Sequence, residues 1–221
     1  NILNYNTYIH LFTCIYHIGI NYQNIFKLNI DNQRNKLCSA VVSKFIQKKP
    51  FEAYKSYLKR ISFIKTICKI DKFNIDVFGY NWKKDELGNK YKGVLGGFNI
   101  GTAEHIENLI PNTTKVDGLI DYKYSIAIEN CKKNNYISEK FTDCILCGTM
   151  PIYYGADNVT DYFPKDCFYS IDIESPTCLV DLYNILKKPI SEKNKNAIKQ
   201  ARDLILNKYN MLEKLNEIIK S

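Results

Sequence analysis

With 221 residues and a mass of 25.7 kDa, the chain is long enough for one large domain with a full core. Its 45% hydrophobic and 24% charged residues, with no run approaching the roughly 18 apolar residues of a membrane span, exclude collagen-like, coiled-coil, tail-like and membrane-spanning readings. The net charge of +8 favours a polyanionic partner such as a nucleotide, a nucleic acid or a phosphorylated surface. Only three of the 31 basic residues are arginines (Arg34, Arg60 and Arg202), which argues against base-edge readout of nucleic acid, and the wealth of Lys, Asn, Ile and Tyr equally fits AT-rich codon usage.

The chain starts at Asn1 rather than Met, as expected of a fragment or processed product, and residues 1–35 are expected to be a remnant of, or linker from, a preceding segment. Within them the apolar stretch Tyr8 to Ile20 carries two histidines and lacks a basic flank, so it predicts a core strand or helix rather than a signal peptide. From residue 36 onward, short β-rich runs alternate with helical patterns, the signature of an α/β domain with a mostly parallel, Rossmann-like sheet. Strands are predicted at Leu37 to Ser43, Asn74 to Phe78, Tyr124 to Ile128, Pro151 to Tyr154 and Phe168 to Ile171. A helix is predicted over Phe51 to Lys69, with Tyr54, Leu58, Ile61, Ile64 and Ile67 on its apolar side, and another over Ser138 to Cys147. Trp82 to Gly101, rich in Gly and Lys without a sustained period, predicts a long loop whose glycines 93, 96, 97 and 101 could cradle phosphate but fit no P-loop or dinucleotide fingerprint. Two further helices are expected outside the sheet, Leu179 to Leu186 and, capped by Ser191, Glu192 to Ile219. The eight cysteines lie mostly in apolar runs; Cys144 and Cys147 form a single C-x-x-C that no second pair completes into a zinc site, so buried thiols are expected.

The chemistry concentrates between Tyr122 and Pro176. A buried strand ending at Ile128 delivers Glu129 and Asn130 to the carboxyl edge of the sheet, where open α/β sheets bind ligands. Ser138 is placed to cap the next helix, whose free N–H groups and positive dipole end make an anion site. Lys140, in the first turn, opposes that dipole; a diphosphate would neutralise both, whereas the bland alternative is a solvated surface charge. Glu139 could accept from a ribose or sugar hydroxyl, or simply favour the dipole, and Tyr136 could donate to a phosphate.

The segment E-N-x-x-x-x-x-Y-I-S-E-K, followed by G-T-M-P-I-Y-Y-G and F-Y-S-I-D-I-E-S-P, resembles the donor-binding signature of glycosyltransferase family 10, the α-1,3-fucosyltransferases. Upstream, R-N-K-L-C-S-A-V-V-S and R-I-S-F-I-K-T-I-C resemble a strand and an Arg-led helix of that family, so the resemblance spans roughly residues 34 to 190. It implies the donor-nucleotide half of a GT-B enzyme and inverting transfer of fucose from GDP-fucose to a glycan hydroxyl; separately, no D-x-D lies between the strands and the basic pair could replace a cation, so the sequence itself does not require a divalent metal. Arg60 and Lys140 would hold the pyrophosphate with Tyr136 assisting, Glu139 would bind a donor hydroxyl, and Asn130 and Ser43 would line the nucleotide pocket. Ile128, Ser138 and Lys44 depart from the family's Phe, Thr and Asn; at the last, another cation near the pyrophosphate could substitute.

In that family the acceptor site and the base lie in an N-terminal domain, so the expected partners are a nucleotide sugar, a glycan acceptor and an upstream domain or separate chain. No catalytic residue is assigned, although Glu129 is the nearest local carboxylate. A nucleotide-sugar-binding module without activity is the alternative function, and a basic nucleic-acid-binding domain a more distant one. The sequons at Asn112 and Asn158 leave the compartment open: Golgi or another membrane-associated site in a eukaryote, cytoplasm in a virus or bacterium.

Overall fold

The computed structural model describes residues 18–44, 51–96, 107–210 and 219. Seven strands form one parallel sheet: β1 (Lys36–Val41), β2 (Ile75–Phe78), β3 (Tyr91–Leu95), β4 (Leu109–Ile110), β5 (Tyr122–Ile128), β6 (Met150–Tyr154) and β7 (Tyr169–Ser170). They lie in the order β4-β3-β2-β1-β5-β6-β7, every neighbouring pair parallel. This is the expected Rossmann-like arrangement. The chain winds outward from β1 in one direction and from β5 in the other, so the adjacent carboxyl ends of β1 and β5 form the switch point where such sheets open a crevice. The central strands are buried on both faces, as β5 shows with Tyr124 to Ile128 all inside, which is why they read as unbroken apolar runs.

Helix α1 (Tyr22–Lys27) precedes the sheet, α2 (Phe51–Cys68) joins β1 to β2, a single turn, α3 (Lys84–Leu87), precedes β3, and α4 (Glu139–Leu146) joins β5 to β6. After β7 come α5 (Cys178–Lys187) and α6 (Glu192–Asp203), the latter capped by Ser191 as expected. Ile18 and Ile25 belong to the main core, and Arg34 donates to the carbonyls of Ile120, Tyr122 and Cys147, so the described part of residues 1–35 packs against the sheet. The rest of the Tyr8 to Ile20 stretch lies outside the described residues.

Three expectations need correction. Trp82 to Gly101 is not a long loop: it contains α3, a 3₁₀ turn and β3. The signal was hidden because β3 sets Lys92 and Gly93 side by side between Tyr91 and Val94, and Gly93, at φ +117°, is needed where a Cβ would lie 2.6 Å from the Asn108 carbonyl oxygen. Gly93 and Gly96 therefore serve strand packing at the far edge of the sheet, while glycines 97 and 101 lie outside the described residues. On α2, Ile61, Ile64 and Ile67 face inward as expected and Tyr57 joins them, but Leu58 is turned outward at 39% exposure, because spacings of three and four from Tyr57 keep one face; the Tyr54 side chain lies outside what is described. The final helical pattern does not run unbroken: α6 ends at Asp203 and passes into a π-turn over Leu204 to Lys208, after which the Tyr209 ring packs on Phe163. Five cysteines are buried free thiols as expected, Cys131 and Cys178 are half-buried free thiols, and Cys14 lies outside the described residues. Burial pushes the Cys144 thiol up to about 12, so it is inert at neutral pH.

Candidate donor-nucleotide site

The switch point gathers residues from four elements. β1 ends at Val41 and leads into Val42 and Ser43; β5 ends at Ile128 and leads into Glu129 and Asn130. Arg60 of α2 and Lys140 of α4 line a small crevice with Val41, Val42, Ile64, Ile126 and Ile128. Two cations in an apolar cleft at a carboxyl edge are an arrangement that an anion would complete.

Arg60 is 4% exposed. Its guanidinium stacks on the Tyr57 ring, 4.5 Å from the centroid, and donates to Asn130 Oδ1 at 2.6 Å. Its Nε, buried, has no hydrogen-bond partner among the described residues. A buried unpaired donor on a charged group is costly, and a ligand oxygen would relieve it. Asn130 also bonds the Tyr136 side chain, whose hydroxyl is pushed up chiefly by burial and so stays a donor. Ser43 is tied on both sides: its Oγ accepts from the Tyr80 N–H at 3.1 Å, and its carbonyl accepts from the Tyr57 hydroxyl at 3.0 Å. Tyr57 thus supports Arg60 and Ser43 together.

The second cation is held differently. Ser138 caps α4, its Oγ accepting weakly from the Lys140 N–H at 3.4 Å. The Lys140 ammonium folds back to Glu139 Oε1 at 2.7 Å, to Ser138 Oγ at 3.2 Å and toward Glu129 Oε2 at 3.9 Å. It is neither a solvated surface charge nor an unpaired one, and the conflict with the helix dipole is relieved by two carboxylates. Burial alone would push Glu139 up, but the Lys140 ammonium, with Lys115 behind it, outweighs that and holds the carboxyl below its usual range. Glu129 is fully buried; burial raises its carboxyl above the usual range against the pull of Lys140 and the Ser138 hydrogen bonds. Enclosed in this way, the Glu129 carboxylate is not exposed to the crevice's surface.

Behind this turn, Lys115 and Asp143 form a buried pair at 2.6 Å that fixes α4 to the segment before β5. Lys44 does not supply another cation to the crevice: its ammonium lies 2.7 Å from Glu86 Oε2, on the side of β2. Among the described residues no group of three or more His, Cys, Asp and Glu could hold a metal ion. All six residues singled out from the sequence, Ser43, Arg60, Asn130, Tyr136, Glu139 and Lys140, sit at this edge. Arg60, Asn130 and Tyr136 form one hydrogen-bonded set; Glu139 and Lys140 form another. Sequence reasoning missed Tyr57, one helical turn before Arg60, and Gly155, the glycine closing the Y-Y-G after β6, where a Cβ would lie 2.5 Å from Glu129 Cγ.

A family model described as glycosyltransferase family 10 (fucosyltransferase) C-term matches residues 31–195, well over half of the chain. Alpha-(1,3)-fucosyltransferase B of Drosophila melanogaster is 35% identical over 94 residues, covering 42% of this chain and 20% of that protein. GDP-fucose protein O-fucosyltransferase 3 of Homo sapiens is 35% identical over 60 residues, covering 25% of this chain and 12% of that protein. Among solved structures, an alpha1,3-fucosyltransferase with GDP-fucose aligns with 83% of this chain and 41% of its own at 17% identity and a TM-score of 0.43. The matches thus span a fifth or less of these curated relatives' length and under half of that solved chain. On the family match, this chain belongs to glycosyltransferase family 10, the fucosyltransferases, and corresponds to the family's C-terminal region.

Proposed function

We propose that the chain is the donor-nucleotide half of an inverting GT-B fucosyltransferase and binds GDP-fucose at the β1–β5 switch point. The observation that carries this reading is the pair of cations in one crevice, of which Arg60 keeps a buried Nε without a partner among the described residues. In inverting transfer an acceptor hydroxyl attacks the anomeric carbon while the nucleoside diphosphate departs, so negative charge grows on the leaving diphosphate. Arg60, Lys140 and the open N–H end of α4 would stabilise that charge, and preorganised donors of this kind supply the largest share of such catalysis. Tyr136 would add a hydroxyl, and Asn130 holds Arg60 in place from below.

The base that takes the acceptor's proton would come from an upstream domain or a separate chain. Within the described crevice both carboxylates are committed, Glu129 by burial and Glu139 by Lys140. The chain alone is accordingly expected to transfer little or no fucose; efficient turnover by residues 1–221 would overturn this assignment of the base. The donor reading is tested by isothermal titration with GDP-fucose and GDP in EDTA. Binding without added metal is expected, and a folded chain that binds no guanine nucleotide would remove the donor assignment.

A further inference from the structure

The donor reading uses Arg60 and Lys140 but leaves a fully buried carboxylate of the region, Glu129, without a part. Its surroundings are specific. Glu129 Oε1 accepts from the Ser138 N–H at 2.7 Å, and Oε2 accepts from the Ser138 hydroxyl at 2.5 Å. The same hydroxyl is the one that receives the Lys140 ammonium at 3.2 Å. On the other side, the Tyr153 hydroxyl of β6 is hydrogen-bonded to Glu129 and also receives the Ala156 N–H at 3.1 Å. Gly155 makes room for this carboxylate, since any Cβ there would lie 2.3 Å from the Tyr153 hydroxyl oxygen and 2.5 Å from Glu129 Cγ.

A buried carboxylate costs several kcal/mol by desolvation, roughly, unless its partners repay it, and packing would be served as well by an apolar residue. What the carboxylate adds is direction. It fixes both the main chain and the hydroxyl rotor of Ser138, which sets the entry angle of α4 and points Ser138 Oγ at Lys140. We propose that Glu129 is the positioning residue of the diphosphate grip, acting through Ser138 to hold the Lys140 ammonium and the first turn of α4 in the crevice. This rests on the donor reading.

A buried negative charge would also repel an incoming diphosphate, an effect of opposite sign. Glu129 is screened by the Ser138 N–H and hydroxyl, which donate to it, and by the Lys140 ammonium 3.9 Å away, so the ordering effect prevails. Glu129→Gln keeps the size and one acceptor but sets an amide N–H₂ against the Ser138 hydroxyl and Lys140, which breaks the relay.

The test is a double-mutant cycle read by titration of the full chain with GDP and guanosine. Glu129→Gln should weaken GDP binding roughly ten-fold, in the range of coupling within one hydrogen-bond network, and leave guanosine binding unchanged. In a Lys140→Ala background the same change should alter GDP affinity less than about two-fold, because the residue it acts through is gone. Tighter GDP binding by Glu129→Gln, equal losses for GDP and guanosine, or the same loss with and without Lys140 would each overturn the proposal. The pH profile adds a readout that packing does not move. The groups facing Glu129 are Ser138, Glu139 and Lys140 from α4, Tyr153 from β6, Tyr136 from the loop before α4, and Arg60 from α2. GDP-fucose, whose diphosphate diester does not titrate in this range, should bind the parent less tightly as Glu129 gains a proton, and the Glu129→Gln profile should lack that limb. Coincident profiles would contradict the proposal. If the parent binds no guanine nucleotide, it is the donor reading that fails; a parent that binds GDP while the cycle shows no coupling fails the positioning role alone.

Discussion

Two clusters of carboxylate and ammonium groups stand at the same edge of the sheet with opposite make-up. Around Glu86 one carboxylate meets two cations, Lys44 at 2.7 Å and Lys65 at 2.6 Å. Around Lys140 one cation meets two carboxylates, Glu139 at 2.7 Å and Glu129 at 3.9 Å. In the first, burial would push the Glu86 carboxyl up, but the lysines and the Lys83 N–H outweigh it and hold it near 2. In the second the two carboxyls are driven apart, Glu139 down and Glu129 up. The difference separates a clasp from a site. Glu86 is saturated and ties the β1 exit to α3, whereas the Lys140 cluster keeps a buried carboxylate and sits beside an arginine whose Nε has no partner among the described residues, as the proposed anion site requires.

The largest expected effect comes from Gly155→Ala, which drives a methyl group into Tyr153 and Glu129. It should destabilise the chain by about 2 to 3 kcal/mol, the upper part of the range for overpacking, read by urea unfolding, and it should impair GDP binding. A stability within about 0.5 kcal/mol of the parent would show that the contact is easily relieved. Next, Lys140→Ala should weaken GDP binding by about ten- to a hundred-fold with guanosine spared, the range for hydrogen bonds to charged groups. Equal losses for both ligands would mean a general defect, and no loss would place Lys140 outside the site.

The Glu86 clasp should behave in the contrary manner. Its carboxyl is depressed in the folded chain, so its contribution to stability is fully present above the unfolded pKa of 4.5 and is lost as pH falls through about 2. Glu86→Gln should therefore cost about 1 to 2 kcal/mol at neutral pH, flatten the acid limb of stability between those values, and leave GDP affinity unchanged. A loss of GDP affinity would merge the two clusters into one site. The smallest effect is expected at the half-exposed pair of Lys59 and Glu174, where Lys59→Ala should change stability by less than about 1 kcal/mol, because exposed pairs are screened.

The half of the domain built on β5, α4 and β6 was legible because its strands are unbroken apolar runs and its polar residues fall between them at the sheet edge. Ser138 announces itself as a cap by its place before an apolar helix. The β3–β4 edge was not legible: a short strand with Lys92 and Gly93 side by side carries the composition of a loop. In the site, residue types at motif spacing located the cations and the amide, but not their partners. The role of Glu129 depends on Tyr153 and Gly155, more than twenty residues away and brought beside it only by the β5–β6 pairing. That Lys44 turns to Glu86 rather than the crevice depends in the same way on α3, hidden within the misread loop.

If Arg60 and Lys140 grip a diphosphate, calorimetric titration of the unmodified chain in EDTA should give GDP an affinity at least about ten-fold higher than that of guanosine, the equivalent of one charge-assisted hydrogen bond or more. Equal affinity for the two, or tighter binding of guanosine, would contradict it, since the crevice would then contribute nothing to holding the phosphates.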